Sequence, residues 1–165
     1  MKYWILRTSH DFRLADWLRD FNWLSDDRLI DGWEIQTRDG EPEPGDYIFF
    51  WQEDTPETSG IAAEGKSVAL PEIFPMAGQK PGYYTLQART GKSGGERQTA
   101  VKYIRLCLAQ PVTERELESG ETSKIVLSIF GLKERMAVIP EPVGKYIEML
   151  LRNRTTMIDL TYCQT

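Results

Sequence analysis

The residues best equipped for chemistry here are tryptophans. The 165-residue chain carries five Trp, seven Tyr and six Phe. An indole offers a flat apolar face for stacking and one N–H donor, so a Trp near a cleft can hold a planar ligand. Trp23 and Trp33 stand in an irregular stretch, and Trp51 ends an aromatic run. Gln52, Glu53 and Asp54 follow Trp51 directly. For each of these residues the alternative role is ordinary: core for the indoles, solvated loop for the polar side chains.

A second group is basic. Between Gly78 and Gln110 lie Lys80, Arg89, Lys92, Arg97, Lys102 and Arg105 against Glu96 alone, a net +5. The whole chain carries −5, so the rest carries −10. A nucleic-acid binder usually shows a basic footprint, and the global balance speaks mildly against one. The segment is either a solvated sheet face or a local phosphate contact. Gly91, Gly94 and Gly95 expose backbone N–H groups in its loop, with Arg89, Lys92 and Arg97 around them, and such a loop can grip phosphates without hydrolysing them. Gly91-Lys92-Ser93 is not a nucleotide-hydrolase loop, because Leu86 stands where that motif needs glycine.

Other chemistry lacks residues. His10 is the sole histidine and has no obvious triad partner, no HxxH, HExxH or CxxC occurs, and Gly91-Lys92-Ser93-Gly94-Gly95 spells GxSxG only within a polar, glycine-rich loop. Zinc ligation and a nucleophilic triad therefore have no sequence basis, and no metal or cofactor is expected. The two cysteines, Cys107 and Cys163, lie far apart, no secretory signal is visible, and no apolar run approaches the ~20 residues of a membrane span. A cytoplasmic, reduced, non-enzymatic binding protein is expected, without membrane attachment.

Stepping outward to the elements, Lys2 to Arg7 reads as a strand. Leu14, Trp17, Leu18 and Phe21 fall on one helical face, capped by Ser9 or Asp11. Asn22 to Gly45 reads as irregular. Gly45-Asp46 turns into Tyr47-Ile48-Phe49-Phe50-Trp51, apolar on both faces and so a central, doubly covered strand. Gly60 to Glu64 is the next strand, its small residues implying close backbone approach. Val68 to Pro81, with three prolines, reads as an extended loop. Tyr83 to Arg89 and Val101 to Ala109 read as strands, the second with Ile104, Leu106 and Leu108 on one face and Tyr103 and Arg105 on the other. Thr113 to Ser119 suits a short helix, and Lys124 to Phe130 suits either a strand or a helix. Val143, Tyr146, Ile147, Leu150 and Leu151 form an amphipathic helix with Pro142 in its first turn. The sum is a single α+β domain over residues 1–165.

Gly45-Asp46-Tyr47-Ile48-Phe49-Phe50-Trp51 followed by Gly60-Ile61-Ala62-Ala63-Glu64 resembles the core signature of EVE domains. The opening Tyr3-Trp4-Ile5-Leu6, the Ala109-Gln110-Pro111-Val112 strand end and the stretch from Phe130 to Leu151 look like the family's other segments. The family often has Tyr, His and Ser after its aromatic strand. Trp51-Gln52-Glu53 here looks closer to EVE modules tied to modification-dependent DNA restriction. The resemblance implies a PUA-like curved sheet or β-barrel of five to six strands with flanking helices, related to YTH and ASCH domains. It implies base flipping into an aromatic pocket, with modified cytosine such as 5-methylcytosine in DNA as the ligand and a partner nuclease in a restriction-type system. Carried over to this chain, Trp51 and Trp33 are the two pocket aromatics sharing one cavity, Trp23 is a weaker third, and Gln52 and Glu53 read the base edge. Arg89, Lys92 and Arg97 are expected on the rim as phosphate contacts. Two other functions compete: an RNA-binding PUA- or YTH-like module, and a small-molecule-sensing interaction domain, which the acidic balance suits.

Overall fold

The computed structural model describes residues 1–8, 30–35, 39–53, 59–73, 83–85, 97–107, 110–118, 136–154 and 158–159, and every structural statement below concerns these. Two adjacent strands carry most of the buried aromatic side chains. Strand β1 (Tyr3–Arg7) runs parallel to β3 (Tyr47–Gln52), Tyr3 beside Tyr47 and Arg7 beside Trp51. In a strand, side chains alternate between faces. Here the alternation divides the aromatics between two cores. Trp4, Leu6, Ile48 and Phe50 face one, whereas Tyr3, Ile5, Phe49 and Trp51 face the other. That division explains why the aromatic run has no polar face.

The Gly-Asp turn before β3 has a structural task. Gly45 takes φ of +97°, a conformation side chains rarely adopt. Asp46 is then buried, and its carboxylate accepts from the Trp4 indole N–H at 3.0 Å, the Lys2 amide at 2.7 Å and the Glu43 amide at 2.9 Å. One carboxylate thus fixes both the turn and the start of β1.

Around this pair the sheet continues with β2 (Ile30–Glu34), β4 (Gly60–Ile73), β5 (Tyr83–Thr85), β6 (Arg97–Leu106) and β8 (Met136–Ile139), in the order β5-β2-β6-β4-β3-β1-β8. Two-residue strands add to it: β7 (Val112–Thr113) on β4 and β9 (Ile158–Asp159) on β6. The sheet is mixed and curled, and its described strands exceed the five to six expected. Gly60 shows the expected close approach, since a Cβ there would overlap the Val112 carbonyl.

Three sequence readings change. The stretch taken as irregular contains β2. The residues taken as a loop from Val68 form the end of β4, which runs on to Ile73. Register shifts between Ser67, Ala69 and Glu72 pass over Val68, Leu70 and Pro71, so the proline supplies no ladder hydrogen bond. In β6, Glu64 pairs with Arg105 and Gly65 with Tyr103, so Ile104 is skipped. That bulge turns Tyr103 into the core beside Leu106, with Arg105 on the opposite side. The helix expected at Leu14 to Phe21 and the segment Lys124 to Phe130 lie outside the described residues.

Two helices are described. Helix α1 (Glu114–Glu118) starts from a capping box: the Glu116 carboxylate accepts from the Thr113 amide at 2.9 Å while the Thr113 hydroxyl accepts from the Glu116 amide. Helix α2 (Glu141–Arg152) buries Val143, Gly144, Ile147 and Leu151 against the face that carries Tyr3 and Phe49. No described helix is long and apolar enough to cross a membrane.

Candidate nucleic-acid interface

Trp33 sits in the middle of β2, paired with Thr99 of β6, and is 3% exposed. Its indole N–H donates to the Tyr103 hydroxyl at 2.9 Å. The Phe50 ring lies 5.1 Å from Trp33 and 5.3 Å from Tyr103, tilted 49° to each, so the three rings lock together. Trp51 is 4% exposed and belongs to the opposite core with Phe49, Ile61 and Leu117. Its carbonyl accepts from the Thr8 amide at 2.9 Å and the Thr8 hydroxyl at 3.0 Å. The structure therefore places Trp33 and Trp51 in different cores, and the described cavity is lined by neither. Period two decides this: Phe50, and not its neighbour Trp51, shares the face of Trp33.

The other sequence candidates are dispersed. Gln52 is nearly buried and donates to the Glu53 carbonyl at 3.1 Å, and the Glu53 carboxylate pairs with Arg7. Arg97 is exposed and holds Glu41 through two guanidinium nitrogens, one of them at 2.8 Å. That hydrogen bonding raises the Arg97 pKa. Trp23, Arg89 and Lys92 lie outside the described residues.

A cavity absent from the sequence reading opens where α2 ends over strands β3, β4 and β6. Its volume is about 390 Å³. Lys66, Lys102, Arg105 and Arg152 line it together with Tyr47 and a single acid, Glu148. Pairing sets the arrangement. Tyr47 stands beside Lys66, and Lys66 beside Lys102, in one row across three strands. The Lys66 ammonium lies 5.5 Å from the centre of the Tyr47 ring, within cation–π range. Below the row, Glu64 is fully buried and ion-pairs with the Arg105 guanidinium. Burial raises the Glu64 pKa, and Arg105 opposes that rise. On the helix side, Glu148 accepts from Arg152 at 2.7 Å and from the Tyr3 hydroxyl at 3.1 Å. Burial, with the Glu148 charge behind it, pushes Tyr3 up to about 12.

Sequence reasoning had Lys102 and Arg105 inside the basic segment. It missed Lys66 and Arg152, which reach the same cavity from 36 and 50 residues away in the chain. The available signal was weak: a lysine in an otherwise small and apolar strand, and an arginine closing an amphipathic helix.

Two buried groups complete the inventory. Gln98 is 1% exposed, and neither atom of its amide has a hydrogen-bond partner. Cys107 donates to the Ile61 carbonyl at 3.3 Å, and burial pushes its thiol up to about 12. Such a thiol is almost wholly protonated near neutral pH and is a poor nucleophile. No set of three or more His, Cys, Asp or Glu fit to hold a metal occurs among the described residues.

Comparison with known proteins places this geometry. No protein-family model matches the chain, and no curated protein matches its sequence. Solved structures do match its fold. Human THYN1 in complex with 5-methylcytosine-containing DNA is similar with a TM-score of 0.60 and 12% identity, over 93% of this chain and 99% of that one. The DUF55 domain of human thymocyte nuclear protein 1 gives 0.59 and 14%, over 92% and 99%. A hypothetical protein from Leishmania major gives 0.56 and 17%, over 92% and 95%. The chain thus has the EVE-like, PUA-like fold that the sequence resemblance implies.

Proposed function

We propose that this domain binds nucleic acid and captures an extruded modified base, with modified cytosine in DNA as the ligand. The observation that carries the reading is the fold shared over nearly the whole chain with human THYN1, a protein solved with 5-methylcytosine-containing DNA. The reading is one of binding rather than catalysis.

The energetics are favourable enough for a sensor. Extruding a base costs a few kcal/mol whether or not it carries a methyl group. Stacking on an aromatic side chain returns ~1–3 kcal/mol. Only the added methyl then separates modified from unmodified DNA, and one such group in an apolar gap is worth ~1–3 kcal/mol. Trp33 is the better candidate for the stacking wall, because a hydrogen bond and a ring contact already hold it in place. At 3% exposed its ring is covered in the unbound chain, so capture includes uncovering it.

The test is competition binding of matched duplexes, with and without 5-methylcytosine, at one fixed salt. The wild type should prefer the modified duplex about 5- to 150-fold, the range that ~1–3 kcal/mol sets. Trp33→Ala should bind both duplexes weakly and alike. Equal wild-type affinity for the two duplexes defeats the modified-cytosine reading. A preference for methylated RNA in the same assay transfers the site to RNA.

A further inference from the structure

We propose that the cavity between α2 and strands β3, β4 and β6 is a phosphate-binding site, with Lys66 and Lys102 as paired anion contacts and Arg105 as a third. The identity of the phosphate rests on the nucleic-acid reading above. The site itself rests on its own geometry.

The first observation is a charge conflict. Lys66 and Lys102 are direct partners across β4 and β6. Like charges placed opposite each other on a sheet are destabilising. Among the described residues neither lysine has a carboxylate partner. This contrasts with Arg7, Arg97, Lys145, Arg152 and Arg154, each of which holds a glutamate. The chain has 25 acidic residues against 20 basic ones, so acids are not scarce. Among the described residues the cavity wall carries one acid, Glu148. An arrangement that the fold does not neutralise is one that an external anion can.

The second observation is preorganisation. Buried Glu64 holds Arg105 through one guanidinium nitrogen, Nη1, fixing the group as a cavity wall. An arginine fork fixed in this way suits phosphate oxygens. The Tyr47 ring supports Lys66 from below, and Tyr47 is itself stacked on Tyr3 at 5.4 Å. Glu148, the one acid on the wall, is committed to Tyr3 and Arg152. The anion therefore belongs at the β4–β6 side of the cavity. A volume of about 390 Å³ has room for a phosphate with its attached sugar.

The phosphate can come from a nucleic-acid backbone or from a free nucleotide or polyphosphate. Two probes separate these sources: an unmodified DNA duplex and inorganic pyrophosphate. Duplex affinity is measured from 50 to 200 mM salt for the wild type, for Lys66→Gln/Lys102→Gln, and for Lys145→Gln as a control on α2 outside the cavity. Pyrophosphate is followed by amide NMR shifts. The double variant should lose duplex affinity equally for modified and unmodified DNA, and its log–log salt slope should fall by about two. Pyrophosphate should shift Lys66, Lys102 and Arg105 in the wild type and nothing there in the double variant. Unchanged duplex affinity together with no pyrophosphate shifts overturns the site and leaves base capture standing. An equal loss in Lys145→Gln also overturns it, since net charge alone then explains the effect. Pyrophosphate binding that the double variant abolishes, in a protein that binds no duplex, upholds the site for small phosphates and rejects the nucleic-acid reading.

Discussion

The Trp33 indole N–H and the Tyr103 hydroxyl meet at 2.9 Å inside the sheet, joining β2 to the bulged part of β6. Both residues are buried. Tyr103→Phe keeps the ring and removes the acceptor. A buried donor left without a partner costs ~1–3 kcal/mol. Urea unfolding should show that loss with an unchanged slope on denaturant. A variant as stable as the wild type shows that the bond contributes nothing.

Gly144 of α2 rests on the Tyr3 ring, and a Cβ at this position would overlap that ring. Alanine is the better helix former by about 1 kcal/mol. Overpacking costs ~1–3 kcal/mol, more where the neighbour cannot move. Tyr3 cannot easily move: it stacks on Tyr47 and Phe49 and its hydroxyl bonds Glu148. Gly144→Ala should therefore lower the melting temperature. Adding Tyr3→Leu, which removes the obstructing ring, should make the Gly144→Ala step less costly.

What could be seen in the sequence depended on whether a signal was local. The aromatic strand from Tyr47 and the helix over Val143 to Leu151 were legible because their periodicity is contained within one element. The Gly-Asp turn was legible as a motif, though its reason, the Asp46 carboxylate tying Trp4 and Lys2, is long-range. Strand β2 was not legible, because Asp31 and Gly32 are poor strand formers that β6 holds in place by pairing. The end of β4 was hidden by Pro71, which bulges accommodate. The Lys66–Lys102 row was invisible, since cross-strand register joins residues far apart in the chain.

Acid should weaken one contact in particular. Burial works against the Glu116 carboxylate, yet hydrogen bonds from Arg154 and Thr113 win and hold its pKa below the ordinary 4.5. A carboxyl with a depressed folded pKa contributes stability above its unfolded pKa and loses it as pH falls through the folded value. The contribution is therefore present at neutral pH and fades below about 4.5. Thermal unfolding measured across pH 7 to 3 should show a shallower acid decline in Glu116→Gln than in the wild type. Superimposable declines mean that the contact is not coupled to folding.

Gln98 offers the sharpest stability test. It lies in β6 opposite Glu34 and Glu72, is 1% exposed, and has no partner for either amide atom. Burying an amide without hydrogen bonds costs ~1–3 kcal/mol on mutational scales. Leucine has a similar size and carries no such cost, so Gln98→Leu should be neutral or stabilising by about 1 kcal/mol. β-Propensity does not reverse the sign, because its whole span is ~1 kcal/mol and leucine is no worse than glutamine in a buried strand. The measurement is the urea midpoint of the unliganded protein beside its affinity for the modified duplex. Higher stability with unchanged affinity makes the amide a tolerated defect of the fold. Higher stability with weaker binding makes it a group whose hydrogen bonds the ligand supplies. A loss of stability in Gln98→Leu beyond about 1 kcal/mol contradicts the prediction.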